Sequence, residues 1–400
     1  MEVENEPFVL LSAPYINGNE WQYVKDCLDT HWVSSVGSYV DRFERELGEV
    51  AGASHCVAVN SGTSALHLAL LLAGVEPDTE VIMPAVSFVA PANTVRYCGA
   101  WPTFIDIDPA TWQLDLAKLE DFLAEGCKRS GSGTLINRAT GRKIAALMPV
   151  HLLGAMVDVR VVTELACRFG LPLVEDAAEC LGAHCHGRPI GAPVDGLEDT
   201  PRIVATSFNG NKIVTTGGGG ALFFEDELLA SRAKHLSTTA KTHAVEFHHD
   251  EVGYNYRLSN VSAAIGVAQL EMLDEFVVLK RKIADVYEQA FSTLPSVETA
   301  PTASYCAPTH WMYTIRVDRS SAALIAELNA QNIQSRPVWV PLPILEPFAS
   351  NCYVHSIEFA SAFYETALSI PCSVSLSESD QQRVIDALQA WRERPTCRTN

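Results

Sequence analysis

Lys212 stands out in this chain because its surroundings could support amine chemistry. It lies in SFNGNKIVTTGGGG, residues 207–220, where its neighbours are small or polar and four consecutive glycines close the segment. An amine that attacks a carbonyl must be deprotonated, so such lysines lie where desolvation or a neighbouring charge favours the neutral form. The segment itself supplies no carboxylate, and its glycines allow a bulky ligand to approach the backbone closely. Lys212 is therefore a candidate nucleophile, and a solvated loop lysine is the alternative.

The segment NSGTSALHLAL, residues 60–70, is a candidate anion site. Gly62 permits close approach of a ligand, and Thr63 and Ser64 supply hydroxyl groups. The helix that follows offers unpaired N–H groups and the positive end of its dipole. These groups suit a phosphate monoester. An ordinary strand-to-helix turn with a serine or threonine cap would have the same pattern, so the segment is weak support when taken alone.

The segment VEDAAE, residues 174–179, places acidic groups at the end of an apolar strand. A buried Asp176 would be costly unless it paired with a cation. A protonated pyridinium nitrogen is such a cation, and a carboxylate beside it keeps the ring an electron sink. The alternative is an acidic strand end that faces solvent, as most carboxylates do.

The apolar runs that position these residues predict an α/β domain with a mostly parallel sheet. Strands are predicted from residue 56 and at 81–88, 101–108, 144–154, 171–179, 203–208 and 220–226, with helical spacing between several of them. Ligands of open α/β sheets gather at the carboxyl ends of the strands. We therefore expect one crevice to collect the polar and aromatic residues at these ends, namely Thr63, Ser64, Phe88, His151, Asp176, Glu179, Ser207 and Lys212.

The pattern changes after about residue 258. Apolar residues at three- and four-residue spacing predict one long helix or two stacked helices, followed by short strands and amphipathic helices. This predicts an N-terminal arm and large domain over residues 1–265 and a smaller α+β domain over residues 266–400. Residues 124–143 are polar, basic and glycine-bearing, which predicts an insertion on the surface.

The composition and the N-terminal pattern argue against nucleic-acid binding, membrane spans, a signal peptide and a disulfide framework. The chain has 29 basic and 48 acidic residues, a net charge of −19 that would repel nucleic acid. No stretch has membrane-spanning length, and the N-terminus MEVENEPFVLLSAP lacks the pattern of a signal peptide. The eleven cysteines are scattered and odd in number, which disfavours a disulfide framework and suits the cytoplasm.

Two histidine-containing segments are weak candidates for metal binding. ECLGAHCHG holds Cys180, His184, Cys185 and His186, but no second ligand pair with suitable spacing exists, so a strand entering a turn is favoured. His248 and His249 precede Asp250, and nothing completes their coordination either. No metal is expected. Trp311 and Trp339 are expected to be packing residues.

Four motifs in order resemble those of the DegT/DnrJ/StrS family of nucleotide-sugar aminotransferases, which are fold-type I pyridoxal phosphate enzymes. They are NSGTSALHLAL, VEDAAE, SFNGNK followed by TTGGGG, and GYNYRLSN at residues 253–260. The likeness extends to WVSSVGSYVDRFE near the start and RPVWVPL near the end. It implies that the cofactor is pyridoxal 5'-phosphate.

The resemblance assigns roles to individual residues. It implies that Lys212 binds the cofactor covalently and later moves a proton, and that Asp176 pairs with the pyridine nitrogen. Glu179, where the family often has glutamine, would lie near the 3-hydroxyl group, and Phe88 against the ring face. The phosphate would be held at the residues of the small, hydroxyl-rich loops, Gly62, Thr63, Ser64 and Ser207.

The motif GYNYRLSN implies shared sites. Asn255 would reach the phosphate of the neighbouring subunit's cofactor, which implies a homodimer with sites at the interface. Arg257 belongs to the same motif and is a candidate substrate contact. His151 is another candidate contact, with a packed strand-end histidine as the alternative.

The resemblance also sets the expected reaction. The amino group would pass from L-glutamate to a keto sugar, since the lysine is kept where dehydratase relatives have histidine. Gly218 departs from the pattern TTGEGG of many members. Residues 234–241, 249–260 and 124–143 are most similar to the legionaminic-acid branch, which acts on a UDP- or GDP-linked 4-keto-6-deoxy-N-acetylhexosamine for surface or secondary-metabolite glycans. A C8 aminotransferase of a keto-octulosonic acid, a sugar dehydratase and a catalytically silent homologue are the alternatives.

Overall fold

The computed structural model describes residues 7–243 and 245–392. Residues 1–6, at the start of the first predicted domain, lie outside the described residues. So do residues 393–400 at the end of the second, which include Cys397. The helices are α1 (Glu20–Asp29), α2 (Ser38–Ala51), α3 (Gly62–Leu72), α4 (Val89–Tyr97), α5 (Leu116–Asp121), α6 (Val159–Phe169), α7 (Glu227–Ser237), α8 (Asn260–Leu270), α9 (Leu273–Phe291), α10 (Ala322–Ala330), α11 (Glu358–Thr366) and α12 (Glu378–Arg392).

The strands are β1 (His55–Val59), β2 (Glu80–Pro84), β3 (Trp101–Ile105), β4 (Cys127–Arg129), β5 (Leu135–Asn137), β6 (Ile144–Leu147), β7 (Leu173–Asp176), β8 (His184–Cys185), β9 (Arg188–Pro189), β10 (Arg202–Ser207), β11 (Gly220–Phe224), β12 (Val297–Thr299), β13 (Cys306–Ala307), β14 (Tyr313–Val317), β15 (Arg336–Pro337), β16 (Tyr353–Val354) and β17 (Ala367–Ile370). A π-helical turn spans Phe122–Gly126, and a 3-10 turn spans Leu342–Ile344.

The predicted α/β sheet is confirmed. Eight strands of the described chain form it in the order β1-β11-β10-β7-β6-β2-β3-β16. Strand β11 is antiparallel to both neighbours, and the pairs from β10 through to β16 are parallel. Strands β2 and β11 are buried along their whole length, as expected when helices cover both faces. The sheet therefore presents the carboxyl ends of β1, β2, β6, β7 and β10 at one edge.

Helix α3 is almost entirely buried because it lies between the sheet and other helices. It packs on β10 and β11 and also contacts α4 and α7. The Ser61 side chain accepts the backbone N–H of Ser64 and so fixes the start of the helix. This cap places the first turn of α3 at the edge of the sheet where the strands end.

A second, antiparallel sheet forms the core of the C-terminal part. Its order is β12-β14-β17-β15, and helices α9 and α12 contribute buried residues such as Tyr287 and Leu388 to the same cluster. Helix α9 joins the two parts, since Phe276 packs in a cluster of the large sheet and Tyr287 in that of the small sheet. The division at residue 265 stays a prediction. Val9 of the N-terminal arm packs with the small sheet.

Residues 124–143 form a packed hairpin rather than a purely superficial insertion. Strands β4 and β5 pair, and Asn137 in β5 is buried and donates its Nδ2 to Glu80 Oε2 at 2.8 Å. Glu80 begins β2, so the hairpin is attached at the amino ends of the strands. This edge is opposite to the one at which β2 and β6 end. In the described part of the chain, no helix has the length and apolar character needed to cross a membrane.

Candidate active site

A cavity of about 600 Å³ lies at the carboxyl ends of the large sheet. Loops that follow five strands contribute to its wall, and the small domain closes it on another side with residues such as Met312 and Val338. Seven of the residues singled out from the sequence line this cavity, namely Gly62, Thr63, Phe88, Asp176, Glu179, Ser207 and Lys212. They come from segments far apart in the chain, which the sheet brings together.

The first turn of α3 forms one end of the cavity. Its leading N–H groups, at Gly62 and Thr63, have no acceptor within the helix and lie at the positive end of its dipole. A Cβ atom on Gly62 would lie 2.7 Å from Ser207 Cβ, so only glycine fits there. Ser64 does not line the cavity, because its hydroxyl donates to Asn60 Oδ1 at 2.7 Å and its N–H to Ser61 Oγ. The turn is thus shaped to hold an anion with backbone and hydroxyl groups.

Asp176 ends β7 with its carboxylate buried at the cavity wall. One oxygen, Oδ1, accepts the backbone N–H of Ala178 at 3.0 Å, and no described residue donates to the other oxygen. Burial raises the pKa of the Asp176 carboxyl, and the Ala178 N–H and the nearby Lys212 oppose that rise. A cation bound beside the free oxygen would therefore be held strongly.

Glu179 supplies the counter-carboxylate that the sequence around Lys212 lacks. Its Oε1 lies 3.6 Å from Lys212 Nζ, and its Oε2 accepts the backbone N–H of Leu153 at 2.8 Å. Leu153 has a φ of 62°, an uncommon conformation that aims this N–H at the carboxylate. Burial raises the pKa of Glu179 to about 7, although Lys212 and the Leu153 N–H act in the opposite direction.

Replacing Glu179 by glutamine is expected to remove a pH dependence from the stability of the cofactor-free protein. Because the pKa of Glu179 rises from its ordinary 4.5 to about 7 on folding, the folded state loses stability as the pH rises through this range. Glutamine keeps an oxygen for the Leu153 N–H but cannot ionise. Urea unfolding between about pH 5 and pH 8 should show a loss of up to about 3 kcal/mol in wild type that E179Q escapes. Parallel stability curves for the two proteins would contradict this assignment.

The wall from the small domain contains residues that the sequence did not mark as functional. Trp311 and Trp339 both line the cavity, although packing roles were predicted for them. The Trp311 ring centroid lies 3.7 Å from Lys212 Nζ. Trp311 lies two residues before an ordinary apolar strand, and nothing in that local pattern indicates contact with a lysine 99 residues earlier.

Gly218 also lines the cavity, and a Cβ built there would meet no atom within 4 Å. A side chain at this position would therefore enter open space in the cavity. Because glycine stands here where the pattern TTGEGG has glutamate, that space is left free.

His151 lies outside the cavity in a buried polar network. Its Nδ1 accepts the backbone N–H of Val157 at 3.1 Å, so Nε2 carries the proton and donates to Glu175 Oε2 at 2.8 Å. Glu175 also pairs with Arg202. Both ring nitrogens are thus used inside the protein, which favours the packed alternative over a substrate contact.

The two residues singled out in GYNYRLSN also lie outside the cavity of the single chain. Arg257 is held by Glu44 Oε1 at 2.6 Å and by the Ala58 carbonyl at 3.0 Å, so it ties α2 to β1. Asn255 is exposed, and its carbonyl accepts the Asn60 side-chain N–H at 3.2 Å. Neither residue forms part of the cavity wall within its own chain.

Asp158 lies beside Cys185 and His186 of the segment ECLGAHCHG, a proximity that the sequence did not indicate. Ligand atoms of Cys185, His186 and Asp158 all lie within 4.8 Å of one another. Asp158 Oδ1 is already engaged, because it caps α6 through the N–H groups of Arg160 and Val161 and bonds His186 Nε2 at 3.1 Å. The bond between His186 and Asp158 links the hairpin of β8 and β9 to the start of α6, and this structural role accounts for the cluster.

Comparisons with known proteins cover nearly the whole chain. The profile of the DegT/DnrJ/EryC1/StrS aminotransferase family matches residues 14–389. GDP-perosamine synthase of Caulobacter vibrioides is 37% identical over 387 residues, with 96% of this chain and 98% of that protein covered. GDP-perosamine synthase of Escherichia coli O157:H7 is 33% identical, with 96% and 98% covered. The crystal structure of DesV from S. venezuelae superposes with a TM-score of 0.84 at 29% identity and covers 94% of this chain and 95% of that one.

Proposed function

The chain belongs to the DegT/DnrJ/EryC1/StrS aminotransferase family, and from this premise we propose that it transfers the amino group of L-glutamate to a nucleotide-linked 4-keto-6-deoxyhexose or its N-acetylamino form. The observation that carries the proposal is the cavity itself. It brings an amine, two buried carboxylates and a helix N-terminus together from three distant segments.

The family depends on pyridoxal phosphate, and the chain is an aminotransferase of this class. The cavity residues fit that cofactor. The first turn of α3, with no room for a side chain at Gly62 and with Ser207 beside it, suits the phosphate. The free oxygen of buried Asp176 suits a protonated ring nitrogen. Exposed Phe88 lines the same cavity and supplies a flat face for the ring.

When bound, the cofactor stabilises the negative charge left on the donor after its α-proton is removed. The chain's own groups provide the rest. Asp176 holds the positive charge on the ring nitrogen, and the helix turn fixes the phosphate end. Lys212 is the base and acid that takes the proton from one carbon and returns it to another. Glu179, held by the Leu153 N–H, keeps this amine in place and would be the residue to face the hydroxyl group of the cofactor's ring.

The proposed sugar nucleotide follows from the relatives of the chain. The names of the two GDP-perosamine synthases favour a GDP-linked substrate over a UDP-linked one. The segments that suggested the legionaminic-acid branch, residues 124–143, 234–241 and 249–260, contribute no residue to the cavity wall. The geometry of the single chain therefore gives that branch no separate support, and a product for surface or secondary-metabolite glycans stays a prediction.

The proposed function is tested in two steps. Protein loaded with pyridoxal phosphate should absorb in the violet, and L-glutamate should convert this band to that of the pyridoxamine form. Pyridoxamine-loaded protein should then be mixed with GDP- and UDP-linked keto sugars, and the products read by mass. Failure of glutamate to shift the band would refute the donor, and failure of every keto sugar would refute the acceptor class.

We also propose a homodimer in which Asn255 completes the partner's site. Support comes from its exposed position outside its own cavity and from exposed apolar residues of the same region, Val252 at 83% and Phe247 at 88%. An interface would cover such side chains.

Mixed dimers test this proposal directly. Variants K212A and N255A should each be impaired, yet a heterodimer purified through two different tags should regain roughly half the wild-type activity, because one of its two sites is then intact. A heterodimer of K212A with D176N is the control. Both of those changes lie in the cavity of a single chain, so neither site is intact and no activity should return. Equal inactivity of both heterodimers, or a monomeric protein, would overturn the proposal.

A further inference from the structure

The amine of Lys212 has two partners among the described residues. One is Glu179 Oε1 at 3.6 Å, and the other is the face of Trp311, whose ring centroid lies 3.7 Å from Nζ. Tryptophan gives the strongest cation–π attraction of the aromatic side chains, and the attraction increases when the site is desolvated. Trp311 is buried, with 4% of its surface exposed. The ring is therefore placed to hold an ammonium group rather than merely to fill space.

The indole ring is fixed to the loop that carries the lysine. Its Nε1–H donates to the carbonyl of Asn211 at 2.6 Å, and Asn211 directly precedes Lys212. A movement of the ring away from the amine would break this bond and leave a buried N–H without an acceptor, which is costly. The ring is therefore fixed relative to the backbone that carries Lys212, while the lysine side chain itself can still move.

The backbone of Trp311 is anchored from the opposite side. Its carbonyl accepts Lys280 Nζ at 2.8 Å and Cys372 Sγ at 3.4 Å. Lys280 lies in α9 and is 3% exposed, and its acceptors are the Trp311 carbonyl and Cys372 Sγ. A buried ammonium group needs this carbonyl as an acceptor. Trp311 is thus held at both its ring and its backbone.

From this geometry we infer that Trp311 is a positioning residue for Lys212. This inference rests on the proposed role of Lys212, which must leave the cofactor, carry a proton and return in every cycle. The lysine side chain is long and flexible. The indole face and Glu179 restrict the free amine to one place in the cavity. Trp339 lines the same cavity but makes no contact with Lys212 Nζ, so it offers a matched control.

The first experiment uses the cofactor-free protein. Reductive methylation of Lys212 by formaldehyde and cyanoborohydride is followed by peptide mass spectrometry in wild type, W311F, W311L and W339L. Loss of the aromatic face should raise the labelling rate of Lys212 in W311L by about tenfold. W311F keeps a face and should lie between wild type and W311L. W339L should label at the wild-type rate.

The second experiment separates positioning from packing. The half-reaction with L-glutamate and with glutamate deuterated at the α-carbon is followed spectroscopically for equal amounts of loaded sites. W311L should slow proton transfer by about tenfold and increase the deuterium isotope effect, and W311F should restore most of the rate.

Unchanged labelling in W311L together with an unchanged isotope effect would overturn the inference. If wild type itself fails to react with glutamate, the proposed function fails, while the labelling comparison still tests the contact between Trp311 and Lys212.

Discussion

Replacement of Lys212 by alanine is expected to lower the rate of amino transfer by about 10⁴-fold or more, the loss typical of a residue that both binds covalently and moves the proton. The violet band of the loaded protein should change at the same time, because no amine in the cavity remains to bond the cofactor. Lys212 and Arg336 are the lysine and arginine side chains that line the described cavity, and an arginine is too basic to replace the lysine as a nucleophile.

Absorption spectra, borohydride reduction and peptide mass spectrometry together check this result. In wild type, reduction should fix the mass of the cofactor on the peptide that contains Lys212, and in K212A on no peptide. Lys282→Ala is the matched control, since this lysine is 67% exposed on α9 and, among the described residues, pairs with Glu378 alone. A K212A protein that kept both the band and the response to glutamate would remove the basis for the proposed mechanism.

Much of the fold was predictable because buried parallel strands leave a strong apolar signal. The predicted strand positions were confirmed, but several strands end earlier than predicted. The run 144–154 ends as a strand at Leu147, and 81–88 ends at Pro84. The residues beyond these ends are apolar and buried too, as with Val150 and Val86, so hydrophobicity alone cannot mark where pairing stops. Those extra residues form the loops that line the cavity.

The site was predictable where a residue type and its place at a strand end both pointed to chemistry. Asp176 and Lys212 meet that condition, and both line the cavity. Pairings across the chain carry no such signal. The ion pair between Lys212 and Glu179 spans 33 residues, and the contact with Trp311 spans 99. His151 and Arg257 were predicted as substrate contacts from their place at a strand end or in a motif. Instead, their side chains bond to Glu175 and Glu44 inside the protein.

Changing Asp176 to asparagine is expected to lower the rate of the glutamate half-reaction by about 10³-fold. Asparagine has nearly the same shape and can still accept the Ala178 N–H, but it has no charge to hold a proton on the ring nitrogen. The cofactor should still bind, because Lys212 and the first turn of α3 are unchanged. Rapid mixing of loaded D176N with L-glutamate measures the rate, and cofactor content measured on the same sample separates chemistry from binding.

The neighbouring residue provides the control for this prediction. Glu175 is a buried carboxylate on the same strand, but its partners are Arg202 and His151, which hold its pKa down to about 2 against the effect of burial. E175Q should therefore lower the free energy of unfolding by about 3 kcal/mol and leave the half-reaction of the loaded protein within a few-fold of wild type. D176N should slow the half-reaction strongly but lose little stability. The stability is kept because burial already disfavours the charge of Asp176 when no cofactor is bound. If both variants lost stability equally and reacted at equal rates, Asp176 would be a structural carboxylate like its neighbour, and its assignment to the ring nitrogen would be wrong.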